Sequence, residues 1–158
     1  MSGYKGHLAG ATVFGIAYIA LLGYVFTIEA AYRQFSFIEQ IGYPLTLFVL
    51  AILFGLWPDV DTNSKGQQVF YSIFFVTDLF LIVTERFKAA AYLGLVALLP
   101  VLSRHRGWTH TWWAMLLVPS PLVILPYLHM PERPLIGLPF YGAAVAGYLS
   151  HLVMDEVA

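Results

Sequence analysis

Cysteine is absent from this chain, and charged residues are scarce. Of its 158 residues, 11% are charged and 59% are hydrophobic. The lack of cysteine excludes disulfide bonds and thiolate metal sites, so any metal ligands must be nitrogen or oxygen atoms. A soluble domain averages about 25% charged residues, so the scarcity of charge predicts an integral membrane protein. A formal net charge of −1 gives no basis for binding nucleic acid.

The apolar residues form six runs, separated by short polar segments. A bilayer core of about 30 Å requires roughly 17–25 helical residues, and several runs are shorter than this. We therefore expect an all-α fold: one transmembrane helical domain over residues 1–158, with about six crossings. The first run is too long for a cleaved signal peptide. The runs are Leu8–Phe26, Tyr43–Trp57, Val69–Thr84, Ala89–Ser103, Trp112–Leu128 and Leu135–Met154. The fifth run is expected to be broken by Pro119, Pro121 and Pro126.

The segment Thr27–Gly42, between the first two runs, mixes charged and aromatic residues. Glu29 and Arg33 stand near Phe35 and Phe37. This pattern is typical of an amphipathic interfacial helix or of a re-entrant cover.

Six crossings bring most of the potential metal ligands to one membrane face. That face receives the N-terminus, Pro58–Gln68, Arg104–Thr111 and the C-terminus, whereas the opposite face receives only His129 among the histidines. The ligands on the shared face predict a polynuclear metal site at a membrane surface. They are His7, Asp59, Asp61, His105, His110, His151 and Asp155. The eight Lys and Arg residues divide evenly between the faces, so they leave the orientation open.

The segment from Arg104 to His110 is the strongest local motif. Two imidazoles five residues apart, with Gly107 between them, can converge on one ion around a turn. Arg104 and Arg106 add planar donors suited to phosphate oxygens. The arginines could instead be interfacial anchors. The nearby tryptophans, Trp108, Trp112 and Trp113, are interpreted as an aromatic belt.

Two further motifs offer carboxylates. Asp59 and Asp61 stand two residues apart after a helix end, where they could share a cation or form an ordinary polar turn. His151 and Asp155 are spaced i and i+4, so they share one helix face and could hold one metal or form an ion pair. Asp78 lies in the middle of an apolar run and is better explained as a structural hydrogen-bonding group than as a proton relay.

In these motifs the chain resembles the YdjM-type family of bacterial inner-membrane, metal-dependent hydrolases. The resemblance covers nearly the whole chain and rests on four blocks in order: Gly6-His7, Pro58 to Asp61, His105 to His110, and Ser150 to Asp155. It implies a multi-pass protein of the bacterial inner (cytoplasmic) membrane with metal-dependent hydrolytic activity and no stated substrate. Thr111 stands where the family usually has serine, and the two helices before His105 are not always present in the family.

Other families match less well. The helical His-x-x-x-Asp is similar to a ligand pair of zinc-dependent phospholipase C. Type-2 phosphatidic acid phosphatases also have six spans, and Ser103, Arg104 and His110 fit one of their signatures. In that signature the aspartate position is occupied here by Ala114, and the Pro-Ser-Gly-His block is missing.

The predicted function is hydrolysis with two or three divalent ions, because seven ligands are too many for one tetrahedral ion. Zinc is the expected metal. Such ions activate water for attack on phosphorus or carbonyl centres. Asp61 and Arg106 are the expected catalytic residues, Asp59 or Asp61 bridging the ions and Arg106 stabilising the developing charge. Arg104, Lys65 and Thr109 are candidates for substrate contact. The expected substrate is a lipid or lipid-like phosphate ester, since the site lies at headgroup depth. The alternatives are a metal transporter and a scaffold whose helix ends are held by ions.

Overall fold

The computed structural model describes residues 3–28, 37–60, 65–98, 108–130, 132–133 and 135–157. Over these ranges the chain is helical and has no strand, which confirms the all-α class. Short 3-10 helices, Trp57–Asp59 and Trp108–His110, follow α2 and precede α5. The α-helices are α1 (Tyr4–Ile28), α2 (Phe37–Leu56), α3 (Lys65–Val83), α4 (Phe87–Leu98), α5 (Trp112–Leu117), α6 (Pro121–His129) and α7 (Leu138–Val157).

Three segments of the described chain are long and apolar enough to cross a membrane. They are Tyr4–Tyr24, Ile41–Asp59 and Trp112–His129. The count of six crossings stays a prediction, since the apolar helices Gln67–Val83 and Phe87–Leu98 are shorter. Large apolar side chains such as Phe75, Phe80 and Leu95 are exposed on the outside of the bundle. An apolar outer surface is what contact with lipid requires.

The predicted elements agree with the structure in position, including the predicted break of the fifth run at Pro119 and Pro121, although Pro126 lies inside α6. The fifth run is divided by the turn at 118–120 into α5 and α6, because Pro119 and Pro121 cannot donate the backbone bonds of a continuous helix. In the predicted interfacial segment Thr27–Gly42, residues 27–28 belong to the end of α1 and residues 37–42 to the start of α2. Residues 29–36 of this segment lie outside the described residues.

The core is a three-helix unit in which α7 packs against both α1 and α2. Small residues line its contacts: a methyl group added to Gly147 would collide with the carbonyl oxygen of Ala51, and one added to Gly55 would lie 3.2 Å from the carbonyl oxygen of Gly147. Such residues let helix backbones approach closely, which drives helix association where the hydrophobic effect is weak. The close approach fixes the positions of the helix ends that carry the candidate ligands.

The chain leaves helix α2 where Pro58 follows Trp57. Pro58 has no N–H to continue the α-helical hydrogen bonds, and here the backbone tightens into the 3-10 helix Trp57–Asp59. The amide of Val60 donates to the carbonyl of Trp57 at 3.2 Å and closes this turn. Asp59 is thereby held at the end of the span rather than in a free loop.

Candidate metal centre

Five of the seven predicted ligands meet at one end of the three-helix unit. His7 comes from the first turn of α1, and Asp59 and His110 each end a 3-10 helix. His151 and Asp155 lie one turn apart on α7. Four separate segments of the chain therefore contribute to a single cluster.

Each of the three imidazoles lies close to both carboxylates. The nitrogen-to-oxygen distances from His7 are 3.5 Å to Asp59 and 3.4 Å to Asp155. From His110 the corresponding distances are 3.7 and 3.3 Å, and from His151 they are 3.8 and 3.4 Å.

These separations are longer than the 2.7–3.2 Å typical of a good hydrogen bond. They match the edge, about 3.4 Å, of a tetrahedron whose vertices lie about 2.0–2.1 Å from its centre, the length of zinc bonds to nitrogen and oxygen. The ligand atoms are thus spaced for an ion between them.

His151 is oriented as a metal ligand normally is. Its Nδ1 lies 3.0 Å from the carbonyl oxygen of Gly55, so Nδ1–H donates and the lone pair of the neutral ring is on Nε2. Nε2 is buried and has no hydrogen-bond partner among the described residues. A metal-binding histidine usually donates its second N–H to a carbonyl or carboxylate in this way. The donor set and this unpartnered nitrogen fit a divalent ion.

The cluster is closed on one side and open on the other. The rings of His7 and His151 stack with centroids 3.9 Å apart, and both residues are almost fully buried. The side chains of Asp59, His110 and Asp155 keep 32%, 21% and 23% of their surface accessible. The buried histidines form the floor, and the partly exposed side chains form the rim through which a substrate could reach an ion.

Charge also favours a cation here. Two carboxylates contact the same three imidazoles, and like charges in one site repel unless a proton or a cation lies between them. A divalent ion compensates both charges at once.

The side chains form two candidate ligand groups that share His151. One contains His7, His151 and Asp155, and the other contains Asp59, His110 and His151. Because Nδ1 of His151 is bound to the Gly55 carbonyl, His151 has one nitrogen free and can bind one ion at a time. Two ions would therefore need bridging by the carboxylates of Asp59 or Asp155.

Of the remaining predicted site residues, Lys65 and Thr109 lie in the described part of the chain. Asp61, Arg104, His105 and Arg106 lie outside the described residues. Lys65 is exposed at the start of α3. Thr109 is fully buried, and its hydroxyl oxygen has no partner in the described part of the chain.

Two other polar residues of the helices, Asp78 and His129, lie away from this cluster. Asp78 is in α3 and belongs to neither ligand group, and one of its carboxylate oxygens is buried without a partner among the described residues. His129 is exposed at the end of α6, with Nδ1 2.9 Å from the carbonyl oxygen of Leu125. Neither contributes to the described cluster.

A comparison with known protein families identifies the family of the chain. The model of the YdjM inner membrane protein family matches residues 1–158. The chain belongs to the YdjM inner membrane protein family. The resemblance seen in the sequence motifs is thereby confirmed over the whole chain, and the family's inner-membrane designation agrees with the apolar helices. No curated protein and no solved structure matches the chain.

Sequence reasoning did not identify the residues that support the cluster. Gly55 and Gly147 follow small residues at i−4, since Ala51 precedes Gly55 and Ala143 precedes Gly147. This small-x-x-x-small pattern, typical of packed membrane helices, was the available signal. Trp108, interpreted as part of an aromatic belt, is partly buried: it packs against Trp57 and also stacks on Trp113, which is exposed like Trp112.

Proposed function

We propose that this YdjM-family protein is a multi-pass, metal-dependent hydrolase of the bacterial inner membrane that cleaves phosphate esters of lipid-like molecules. The proposal requires two divalent ions, with zinc the expected metal because the described ligands are imidazole and carboxylate groups. When bound, such ions polarise a phosphoryl oxygen and activate water. The observation that carries the proposal is the buried Nε2 of His151, aimed at both carboxylates while Nδ1 is held by Gly55.

The chain's own residues divide the work. His7 and His151 hold an ion from the closed side and exclude water from it, because both are buried. Asp59 and Asp155 each lie near all three imidazoles, which suits them to bridge two ions. His110 closes the set at the open rim. Asp61 and Arg106 remain the proposed catalytic residues, with His105 as a further ligand.

Location supports a lipid substrate. Asp59 ends one segment that is long and apolar enough to cross a membrane, and His7 lies near the start of another. A cluster at the ends of such segments lies at the depth of lipid headgroups. The open rim can receive a phosphate there without the lipid leaving the bilayer.

Metal content and turnover test the proposal together. Protein purified in detergent without chelator should contain about two zinc ions per chain and release phosphate from a lipid phosphomonoester or cleave a phosphodiester lipid. Chelator should abolish turnover, and added zinc should restore it. His110→Ala and His151→Ala should lose metal and activity, whereas His129→Ala should retain both.

Four results would contradict the proposal in different ways. Absence of stoichiometric metal in the wild-type protein would exclude the metal centre. Retained metal without turnover of any lipid ester would favour a scaffold, and zinc flux into liposomes would favour transport. A large loss in His129→Ala would show that the cluster is not the active centre.

A further inference from the structure

The two ligands outside the α-helices are carried by turns of the same construction. Trp57-Pro58-Asp59 and Trp108-Thr109-His110 are both 3-10 helices, with tryptophan first and the candidate ligand third. A ligand on so short an element cannot be fixed by its own backbone hydrogen bonds alone. The contacts of the tryptophans therefore decide how firmly Asp59 and His110 are held.

The ring of Trp57 contacts both the ring of Trp108 and that of a tyrosine from α7. The ring centroids of Trp57 and Trp108 are 5.8 Å apart, with the rings at 66° to one another, and Tyr148 lies 5.8 Å from Trp57. Edge-to-face packing at this distance is a favoured arrangement of aromatic rings. We call Trp57, Trp108 and Tyr148 the aromatic triad. Every segment that supplies a ligand, apart from α1, supplies one of its rings.

Hydrogen bonds fix the orientation of the triad. The indole N–H of Trp57 donates to the carbonyl of Val96 at 3.2 Å, which ties the first turn to α4. The hydroxyl of Tyr148 donates to the carbonyl of Thr109. Tyr148 is fully buried, and a buried hydroxyl without a partner is costly, so this bond holds the peptide group that directly precedes His110.

Tyr148 also connects two of the segments that carry ligands, α7 and the Trp108–His110 turn. It lies three residues before His151 on α7, and its hydroxyl reaches the turn that carries His110. The centroids of the His110 and His151 rings are 5.2 Å apart. The same side chain therefore sets the distance between a ligand of its own helix and a ligand of another segment.

We propose that Tyr148 is a positioning residue of the metal centre: through the Thr109 carbonyl and the aromatic triad it holds His110 in place for metal binding. This inference rests on the metal centre of the proposed function but not on hydrolysis. Tyr148 touches no ion itself, and its effect is carried by the backbone of the Trp108–His110 turn.

The chain supplies a matched control for the hydroxyl group. Tyr141 lies two turns earlier on α7, and its hydroxyl donates to the carbonyl of Leu116 in α5 at 3.2 Å. Tyr141→Phe therefore removes a hydrogen bond between α7 and α5, which carries no candidate ligand. Tyr148→Phe keeps the ring and removes the bond next to His110.

The test compares zinc affinity, measured by competition with a chromophoric chelator, in the wild-type protein and both variants. Tyr148→Phe should weaken zinc binding about ten- to hundredfold, the usual effect of removing a group that orients a ligand, and Tyr141→Phe should stay within about twofold of wild type. The visible absorption of cobalt(II)-loaded Tyr148→Phe should change as well, because its intensity reports coordination geometry. Thermal unfolding of the metal-free variants measures the stability lost with each hydrogen bond, and the loss should be larger for the buried bond of Tyr148 than for the exposed bond of Tyr141.

A second pair of variants tests the inference if Tyr148→Phe does not fold. Trp108→Leu should also weaken zinc binding, while Trp112→Leu, which changes an exposed neighbour, should not. Wild-type zinc affinity in Tyr148→Phe, or equal losses in Tyr148→Phe and Tyr141→Phe, would overturn the inference alone. A wild-type protein that binds no zinc would overturn it with the metal centre, whereas one that binds zinc without hydrolysing lipid would remove only the hydrolase proposal.

Discussion

The two nitrogens of His151 have different tasks, and the local geometry assigns them. Nδ1 is bound to the Gly55 carbonyl at 3.0 Å, which leaves Nε2 within 3.4 Å of Asp155 and 3.8 Å of Asp59. A histidine that is merely part of a core normally satisfies both nitrogens, because an unpartnered buried polar atom is costly. The unsatisfied Nε2 is therefore the single atom that most favours a ligand role.

Asp155 offers a test that changes charge and almost nothing else. Asp155→Asn keeps the shape of the side chain but replaces a carboxylate that lies near three imidazoles, so zinc affinity should fall by at least about a hundredfold. The neighbouring Glu156 is exposed and belongs to neither ligand group, so Glu156→Gln should bind zinc as the wild type does. Equal affinities for both variants, measured by calorimetry, would exclude Asp155 as a ligand.

The helices α1, α2 and α7 place the ligands because their backbones pack closely. Gly55 and Gly147 lie where α2 and α7 pack closely, and the Gly55 carbonyl is the group that accepts from His151. Packing and ligand orientation therefore depend on the same glycines. A substitution of one of these glycines should therefore affect the metal centre without altering any ligand.

Gly147→Ala should destabilise the fold and weaken zinc binding. The added methyl group would collide with the carbonyl oxygen of Ala51, and overpacking of this kind costs about 1–3 kcal/mol or more. Gly94→Ala is the control, because a methyl group at Gly94 meets no atom within 4 Å and alanine favours helix. Thermal unfolding in detergent and zinc titration would check both effects, and a Gly147→Ala variant as stable as Gly94→Ala would contradict the packing argument.

In the whole molecule the cluster joins segments that are far apart in sequence. His7 and Asp155 lie near opposite ends of the chain, and Asp59 and His110 come from between them. An ion bound to these side chains links α1, α7 and both 3-10 helices. Binding to the folded state alone must then stabilise the whole bundle.

Zinc should raise the unfolding temperature of the metal-free protein. At a free zinc concentration about one hundred times the Kd, ligand binding adds about 2.7 kcal/mol to the free energy of unfolding. His151→Ala should lose this stabilisation, and His129→Ala should keep it, because His129 lies outside both ligand groups. An unchanged unfolding temperature of wild-type protein across a zinc titration would contradict the role of the cluster in joining the segments.

Much of the architecture follows from the linear pattern. Each predicted apolar run overlaps a helix, the fifth run overlapping both α5 and α6, and Pro58 and Pro119 mark places where α-helices end. The i and i+4 spacing of His151 and Asp155 predicted a shared face, and the two residues lie 3.4 Å apart. Such features depend on local propensity and on hydrophobicity, which neighbouring residues determine.

The residues that support the ligand-bearing turns could not be identified from the sequence. Tyr148 appears in the chain as one more apolar aromatic residue, and Trp108 resembled a lipid-facing anchor. Their roles depend on a hydroxyl reaching Thr109, 39 residues away in sequence, and on ring contacts with Trp57. No local pattern encodes contacts of this range.

The sequence by itself determined an all-α membrane protein of the YdjM family and the kinds of atom available to a metal, because composition and motif order are properties of the linear chain. Tertiary structure alone decided that His7, Asp59, His110, His151 and Asp155 lie within a few ångströms, that His151 presents Nε2, and that aromatic rings support the turns. The physical reason is that these distances arise from close backbone packing at Gly55 and Gly147, where helices distant in sequence meet.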